Sequence, residues 1–95
     1  MSWLWDERKN QLNKQKHGLR FETAQSVFDD DLRLSRLDLY ADEERWHTIG
    51  MIGRICVLVV HTLPDDEEGE RPGRIISARL AKRHERKDYE ECGFS

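Results

Sequence analysis

The sequence is poor in cysteine and in apolar residues, and each shortage excludes a class of protein. Its two cysteines, Cys56 and Cys92, are too few for a disulfide framework, so we expect a reducing compartment. No apolar stretch is long enough to span a bilayer, and residues 1–6 lack the basic and then apolar order of a signal peptide. We therefore expect a cytoplasmic protein without membrane contact.

The hydrophobic content is also low, and this limits the core. Hydrophobic residues make up 37% of the 95 residues, and the mean hydropathy is −0.85. A chain of this length forms one small domain, here residues 1–95, which buries a modest share of its surface. The large charged surface that remains suits the binding of a polymer better than the enclosure of a small ligand.

Charge is unevenly distributed along the chain. The net charge of −3 comprises +3 in residues 1–20, −9 in residues 21–70 and +3 in residues 71–95. If the two ends meet in space, they form one basic surface that attracts phosphates, while the acidic middle attracts a basic partner. The alternative is that these charged residues only form a hydrated surface and bind no partner.

Two helices are predicted near the N-terminus. Asp6 is a suitable N-cap for a helix over residues 7–16, and Gly18 is a suitable residue to end it. Apolar residues at helical spacing predict a second helix over residues 21–28. The aspartates at positions 29–31 end that helix because they oppose its dipole.

The apolar period then changes to two, which predicts strands. Leucines between positions 32 and 39 alternate with a slip near Arg36 that suggests a bulge. Residues 45–51 and 54–62 form a predicted hairpin, residues 73–80 a last strand, and residues 81–91 a final helix. The second hairpin strand is β-branched on both faces and should be central. The fold class is therefore α+β, with two N-terminal helices on a four-stranded antiparallel sheet and a C-terminal helix.

Several of these residues resemble the opening and closing signatures of the BrnT family of toxins. The opening residues are Trp5-Asp6, Lys9, Asn13, Lys16-His17-Gly18, Phe21-Glu22, Ala24 and Phe28-Asp29-Asp30. The middle and closing residues are Glu44-Arg45, Ile49-Gly50, Arg74-Ile75-Ile76-Ser77-Ala78-Arg79, Ala81, Glu85 and Tyr89. Their order and spacing are kept over about residues 3–91.

The resemblance implies the toxin of a type II toxin–antitoxin pair with a RelE-like fold. It implies metal-independent cleavage of RNA, with mRNA the expected substrate and arrest of growth the expected result, and no cofactor. It also implies a DNA-binding antitoxin of the ribbon–helix–helix type (BrnA-like), so that DNA is contacted only through the complex.

Metal-free RNA cleavage needs a base, an acid and cations that hold the phosphorane charge. Histidine is the usual acid–base group near neutral pH, so His17 is the first candidate for proton transfer, with Lys16 stabilising charge. The alternative is that His17 caps the helix carbonyls. Arg79 is the candidate for holding the scissile phosphate, and it matches the late arginine of RelE-like toxins. Its alternative role is a salt bridge to Glu22 or Glu85.

The remaining candidates have weaker support. Strict alternation would place Arg79 on the same face of the last strand as Ile75, with Arg74 on the other face. The proposed RNA contacts are Lys9, Arg45, Arg74 and Tyr89. Tyr89 is more readily explained as the packing anchor of the last helix. Glu22 and Glu85 are candidates for orienting Arg79 or His17.

No metal site is expected. His47 and His61 lie on adjacent predicted strands, but two histidines without a third ligand are a weak metal signal. Two other functional classes remain open at this level: a non-catalytic nucleic-acid-binding module that uses the same cations, and an interaction protein that docks a basic partner on its acidic middle.

Overall fold

The computed structural model describes residues 3–39, 42–63 and 72–93. In chain order, its elements are α1 (Glu7–His17), α2 (Phe21–Ala24), a 3₁₀ helix (Gln25–Asp29), β1 (Leu34–Asp38), β2 (Arg45–Ile52), β3 (Ile55–His61), β4 (Ile75–Leu80) and α3 (Arg83–Gly93). Residues 64–71, which include the acidic run from Asp65 to Glu70, lie outside the described residues. The α+β class is confirmed.

Helix α1 begins and ends as its capping residues predict. The Asp6 side chain accepts hydrogen bonds from the backbone N–H groups of Arg8 and Lys9, at 2.8 and 3.3 Å. Gly18 follows the helix in the left-handed conformation, with φ 74°, and its N–H donates to the Lys14 carbonyl at 2.8 Å. These two caps set the length of a helix that has almost no apolar face of its own.

The second predicted helix is shorter than expected, because residues 25–29 tighten into a 3₁₀ turn. Val27 in this turn is fully buried and packs against β2 at Gly50. A Cβ atom at Gly50 would lie 2.9 Å from Val27 Cγ1 and 3.1 Å from the Val27 carbonyl oxygen. Glycine at this position therefore permits the close approach of the turn to the sheet.

The four strands form one antiparallel sheet in the order β1-β2-β3-β4. The predicted hairpin is confirmed, with Ile52 paired to Ile55 across the Gly53-Arg54 turn. The predicted bulge near Arg36 is wrong, because β1 pairs with β2 in an even register from Leu34 to Asp38.

The bulge lies instead between β3 and β4. Val60 pairs with Ser77 and His61 pairs with Ile75, which leaves Ile76 without a partner across the pair. The extra residue reverses the alternation at the start of β4. Arg79 consequently shares a face with Ser77 but not with Ile75, which corrects the expectation from strict alternation.

The two faces of the sheet are covered differently. The first face packs under α1, α2 and the 3₁₀ helix, where the buried core comprises Leu19, Phe21, Ala24, Val27, Val57, Val59, Ile75 and Ala78. The second face carries α3, and the smaller buried cluster there comprises Ile49, Cys56, Leu58 and Tyr89. Alternating residues of β3 supply both clusters.

Two further expectations concern the cysteines and membranes. Cys56 is buried and Cys92 is exposed, and neither forms a disulfide among the described residues. Within the described ranges, no helix has the length and apolar character needed to cross a membrane.

Candidate functional site

The two ends of the chain meet at β4. The Leu4 N–H donates to the Gly73 carbonyl at 2.9 Å, and the Ile75 N–H donates to the Leu4 carbonyl at 2.8 Å. Further along the strand, the Asn13 amide donates to the Ala78 carbonyl at 2.8 Å and accepts from the Ala78 N–H at 3.1 Å. The N-terminal segment and α1 thus lie beside the last strand, as a shared basic surface requires.

Exposed cations are concentrated on these joined segments. They are Arg8, Lys9, Lys14 and Lys16 on α1, Arg20 after it, and Lys82 and Arg83 after β4. None of them forms an ion pair within the part of the chain that the structure describes. Their charge is therefore available to phosphate groups.

Lys16 and His17 occupy the last turn of α1. Lys16 is exposed and His17 is half-buried, and His17 follows the buried Asn13 by one helical turn on the same face. Neither side chain makes a hydrogen bond to another described residue. The alternative role of His17, capping of the helix carbonyls, is therefore not seen, and Gly18 caps the helix instead. The imidazole remains available for proton transfer.

Arg79 is held by Glu85 in a two-pronged ion pair. Its Nη1 and Nη2 atoms lie 2.7 and 2.9 Å from Oε1 and Oε2 of Glu85, and Nη1 also donates to the Leu80 carbonyl at 3.2 Å. Hydrogen bonds from Arg79 lower the pKa of Glu85 to about 2, and Glu85 raises the pKa of Arg79. This pair is one of the two alternatives foreseen for Arg79.

The ion pair leaves one edge of the guanidinium free. A guanidinium has five N–H donors, and the three bonds above use the Nη1 pair and one donor on Nη2. The Nε–H and the second Nη2–H have no partner among the described residues, and they form the side-on fork that matches a phosphate. Glu85 can therefore orient Arg79 and still leave two of its N–H donors available to a phosphate.

Glu85 also fixes the start of α3. Its carboxylate accepts from the backbone N–H of Lys82 at 2.7 Å, which is the return half of a capping box. One carboxylate thus joins the end of β4 to the beginning of α3, and sequence reasoning had considered it only as a partner of a catalytic residue.

The structure does not bring Lys16 and His17 together with Arg79. The backbone of Ala78 contacts α1, whereas the side chain of its neighbour Arg79 points toward α3 on the second face. No hydrogen bond or ion pair between described residues connects either member of the Lys16-His17 pair to Arg79. The two groups border opposite sides of the outermost strand.

Glu22 is engaged by α1. Its carboxylate accepts from the Asn10 amide at 2.6 Å, and the Asn10 Oδ1 atom accepts from the Phe21 N–H at 2.8 Å. The hydrogen bond from Asn10 lowers the pKa of Glu22. Glu22 therefore contacts neither His17 nor Arg79 among the described residues, and it connects the starts of α1 and α2.

Arg45 and Arg74 gather around one acid. Nη2 of Arg74 lies 2.9 Å from Oε1 of Glu43, and Nε of Arg45 lies 3.5 Å from the same oxygen. The Arg45 Nε atom is buried and has no hydrogen-bond partner within the described ranges, since the geometry toward Glu43 is too poor for a hydrogen bond. Lys9, the remaining cationic candidate, is exposed on α1, apart from this pair.

Tyr89 anchors α3. The residue is 8% exposed and packs with Ile49, Cys56 and Leu58. Its hydroxyl donates to Oδ2 of Asp30 at 2.6 Å, and burial together with this bond raises the pKa of Tyr89 to about 12. The geometry favours the anchoring role over stacking on a base.

Sequence reasoning missed Asp30, which joins three elements. Besides Tyr89 of α3, its carboxylate accepts from the backbone N–H of Met51 at 2.8 Å and of Leu32 at 2.9 Å. Burial raises the pKa of Asp30, but these hydrogen bonds outweigh it and the net shift is downward. Nothing in a run of three aspartates distinguishes the middle one beforehand.

The two strand histidines do not face each other. His61 is 1% exposed on the first face, whereas His47 points to the second face and its Nε2 lies 3.2 Å from Oδ2 of Asp38. Their strands pair Trp46 with His61 and His47 with Val60. Among the described residues, no three His, Cys, Asp or Glu side chains gather into a possible metal site.

Comparison with known families assigns the chain. The family model described as the ribonuclease toxin, BrnT, of type II toxin–antitoxin systems matches residues 5–85. The chain belongs to the BrnT family. No curated protein matches it. As a BrnT toxin, it is a ribonuclease whose partners are an RNA substrate and a protein antitoxin.

Proposed function

We propose that this BrnT toxin is a metal-independent endoribonuclease that cleaves mRNA in the cytoplasm and thereby arrests translation and growth. The observation that carries the proposal is the match of residues 5–85 to a family of ribonuclease toxins. In this proposal residues 1–95 form one domain with a RelE-like fold. A ribbon–helix–helix antitoxin inhibits it, and DNA is contacted only through that complex.

The proposed chemistry uses the two sides of β4. Arg79 holds the scissile phosphate through its free Nε and Nη2 edge, and Glu85 orients it. His17 carries the proton of the attacking 2′-hydroxyl to the departing 5′-oxygen as the bond from the 2′-oxygen to phosphorus forms and the bond to the 5′-oxygen breaks, and Lys16 stabilises the negative charge that develops on the phosphorane. Lys16 and His17 border one side of β4 and Arg79 the other, so the proposed chemistry needs the scissile phosphate to bind between the two groups at the end of this outermost strand.

The other proposed residues bind the RNA or support its site. Lys9, Arg45 and Arg74 contact phosphates; Lys9 is exposed on α1, and Arg45 and Arg74 lie together beside Glu43. Glu22 acts through Asn10, by holding the helix that carries His17. For Tyr89, the proposed RNA contact is limited to the rim of its ring, because its hydroxyl is committed to Asp30.

The test is cleavage of total RNA by the purified protein in excess chelator. We expect cleavage by the wild type, and a loss of about 100-fold or more in His17→Ala, the usual size of general acid–base catalysis. Gln15→Ala, which truncates an exposed, uncharged side chain of the same helix, is the matched control and should cleave at close to the wild-type rate. Circular dichroism confirms that each variant is folded.

Two outcomes would change the proposal. Undiminished cleavage by His17→Ala would remove His17 from the mechanism. If the wild type leaves RNA intact both alone and with translating ribosomes, while still retaining RNA on a filter, the chain is a non-catalytic binding module. The separation of Arg79 from Lys16 and His17 by β4 is the observation that keeps this second function in view.

A further inference from the structure

A cavity remains that the proposed chemistry does not use. It opens on the first face of the sheet, between the N-terminal segment, the 3₁₀ helix and the first strands. Aromatic rings of Trp3, Phe28 and His61 form part of its wall. Polar side chains of Gln25, Asp29, Arg33 and Ser35 also line it. None of these residues belongs to the surface around His17 and Arg79.

One wall of the cavity is a hydrogen-bond chain with a fixed direction. Burial lowers the pKa of His61, so its ring is neutral, and Nδ1 donates to the Thr62 carbonyl at 2.9 Å. Nε2 must then accept from the Thr48 hydroxyl, 2.6 Å away. The Thr48 oxygen in turn accepts from Ser35, at 2.7 Å. Ser35 therefore presents only lone pairs to the cavity.

Other side chains that line the cavity have unused hydrogen-bonding capacity. The side chains of Gln25 and Asp29 have no hydrogen-bond partner among the described residues, and Arg33 makes one bond, to the Asp30 carbonyl at 3.2 Å. The neighbouring Asp30 differs, since its carboxylate already accepts three hydrogen bonds, from Leu32, Met51 and Tyr89. Asp29 and Arg33 are thus free to bind a ligand where Asp30 is not.

The charges in the cavity indicate a neutral ligand. Asp29 contributes one negative charge and Arg33 one positive charge, so a phosphate is repelled by the first and a guanidinium or ammonium group by the second. A neutral planar heterocycle with hydrogen-bond donors on one edge and acceptors on the next can bind both Asp29 and Arg33. Guanine has this pattern, because N1–H and N2–H match a carboxylate while O6 and N7 match an arginine.

We propose that this cavity binds a guanine base of the RNA, with Asp29 on the N1 and N2 donors and Arg33 on the O6 and N7 acceptors. Ser35 accepts a further hydrogen bond from the bound nucleotide. The inference rests on the proposed function in that RNA supplies the base. It adds what the family assignment leaves open, namely a preference for one base.

Binding of mononucleotides tests the inference without any cleavage. In the isotope-labelled full chain, the indole N–H of Trp3 and the backbone N–H of Ser35 report on the cavity. We expect GMP to shift both signals, and AMP, CMP and UMP to bind at least tenfold more weakly. Asp29→Asn should weaken GMP binding about tenfold or more. Asp31→Asn, the same charge change at an exposed site outside the cavity, should bind GMP as the wild type does.

The outcomes separate this inference from the proposed nuclease activity. The guanine-binding inference is overturned if all four nucleotides bind equally or if neither reporter signal shifts. It is also overturned if only a basic peptide, a stand-in for a basic protein partner, shifts the two signals. If the protein binds GMP but does not cleave RNA, the guanine site is supported and the proposed nuclease activity is refuted. If Asp29→Asn does not fold, Arg33→Gln replaces it and should abolish the preference for GMP over AMP.

Discussion

The two faces of the sheet are stabilised in different ways. On the first face, eight buried hydrophobic residues pack beneath α1, α2 and the 3₁₀ helix. On the second face, α3 contributes one large buried side chain, Tyr89, to a cluster of four. Three polar contacts complete its docking: Tyr89 to Asp30, Arg79 to Glu85 and Arg36 to Asp88.

This difference matters because burial and polar contacts respond to different conditions. Burial of apolar area is insensitive to pH, whereas an ion pair depends on the ionisation of both partners. The first face should therefore control global stability, and the second face should control whether α3 stays docked. Arg79 lies on the second face, so the docking of α3 also determines the geometry of a proposed catalytic residue.

The largest effect is expected from the first face. Phe21 is fully buried in its centre, and Phe21→Ala should lower the free energy of unfolding by about 3–5 kcal/mol. Chemical denaturation of both proteins measures this loss. The matched control is Leu80→Ala, since Leu80 lies on the same face as Ala78 but is 55% exposed and should cost under about 1 kcal/mol. Equal losses would show that burial does not distinguish these sites.

A smaller, pH-dependent effect is expected from the second face. The pKa of Glu85 is lowered from 4.5 to about 2, so its stabilisation is complete above pH 4.5 and is lost as the pH falls toward 2. The shift corresponds to at most about 3 kcal/mol. Glu85→Gln removes this titration but keeps the side-chain size.

The measurement is the difference in unfolding free energy between wild type and Glu85→Gln as a function of pH. The wild type should be the more stable protein at pH 7, and the two curves should meet near pH 2. Asp30 and Glu22 also have lowered pKa values, but both titrate equally in the two proteins and cancel. A difference that is constant with pH would contradict the assignment.

The smallest effect is expected from Tyr89→Phe. The substitution keeps the ring in its cluster and removes the hydroxyl that donates to the Asp30 carboxylate, at a cost of about 1.5 kcal/mol, the lower end for a hydrogen bond to a charged group. Amide exchange should accelerate in α3 and remain unchanged in α1, where no contact is altered. Acceleration spread evenly over both helices would mean that the two faces form one cooperative unit.

Local signals predicted the local structure. Asp6 and Gly18 fixed the limits of α1 because a cap is chosen by residues within a few positions of it. The β2–β3 hairpin follows from alternating hydrophobicity in the same way. The competing role of Arg79 as a partner of Glu85 was also foreseen, since the two residues are six apart.

Contacts between distant segments were not predicted. Asn13 and Ala78 are 65 positions apart, and no pattern in α1 indicates that its amide will bond to a strand. The bulge at Ile76 depends on how β4 pairs with β3. Strict alternation of side chains along β4 therefore placed Ile75 on the wrong face. Likewise, the direction of the Ser35–Thr48–His61 chain depends on the register of three strands.

The hydrogen bonds made along the outer side of β4 have a consequence for assembly. Leu4 engages Gly73 and Ile75, and the Asn13 amide engages both backbone groups of Ala78, so a foreign strand cannot pair there without displacing them. β1, at the opposite end of the sheet, pairs only with β2 among the described residues. Strand addition, whether by a binding partner or in aggregation, is thereby directed to one side of the molecule.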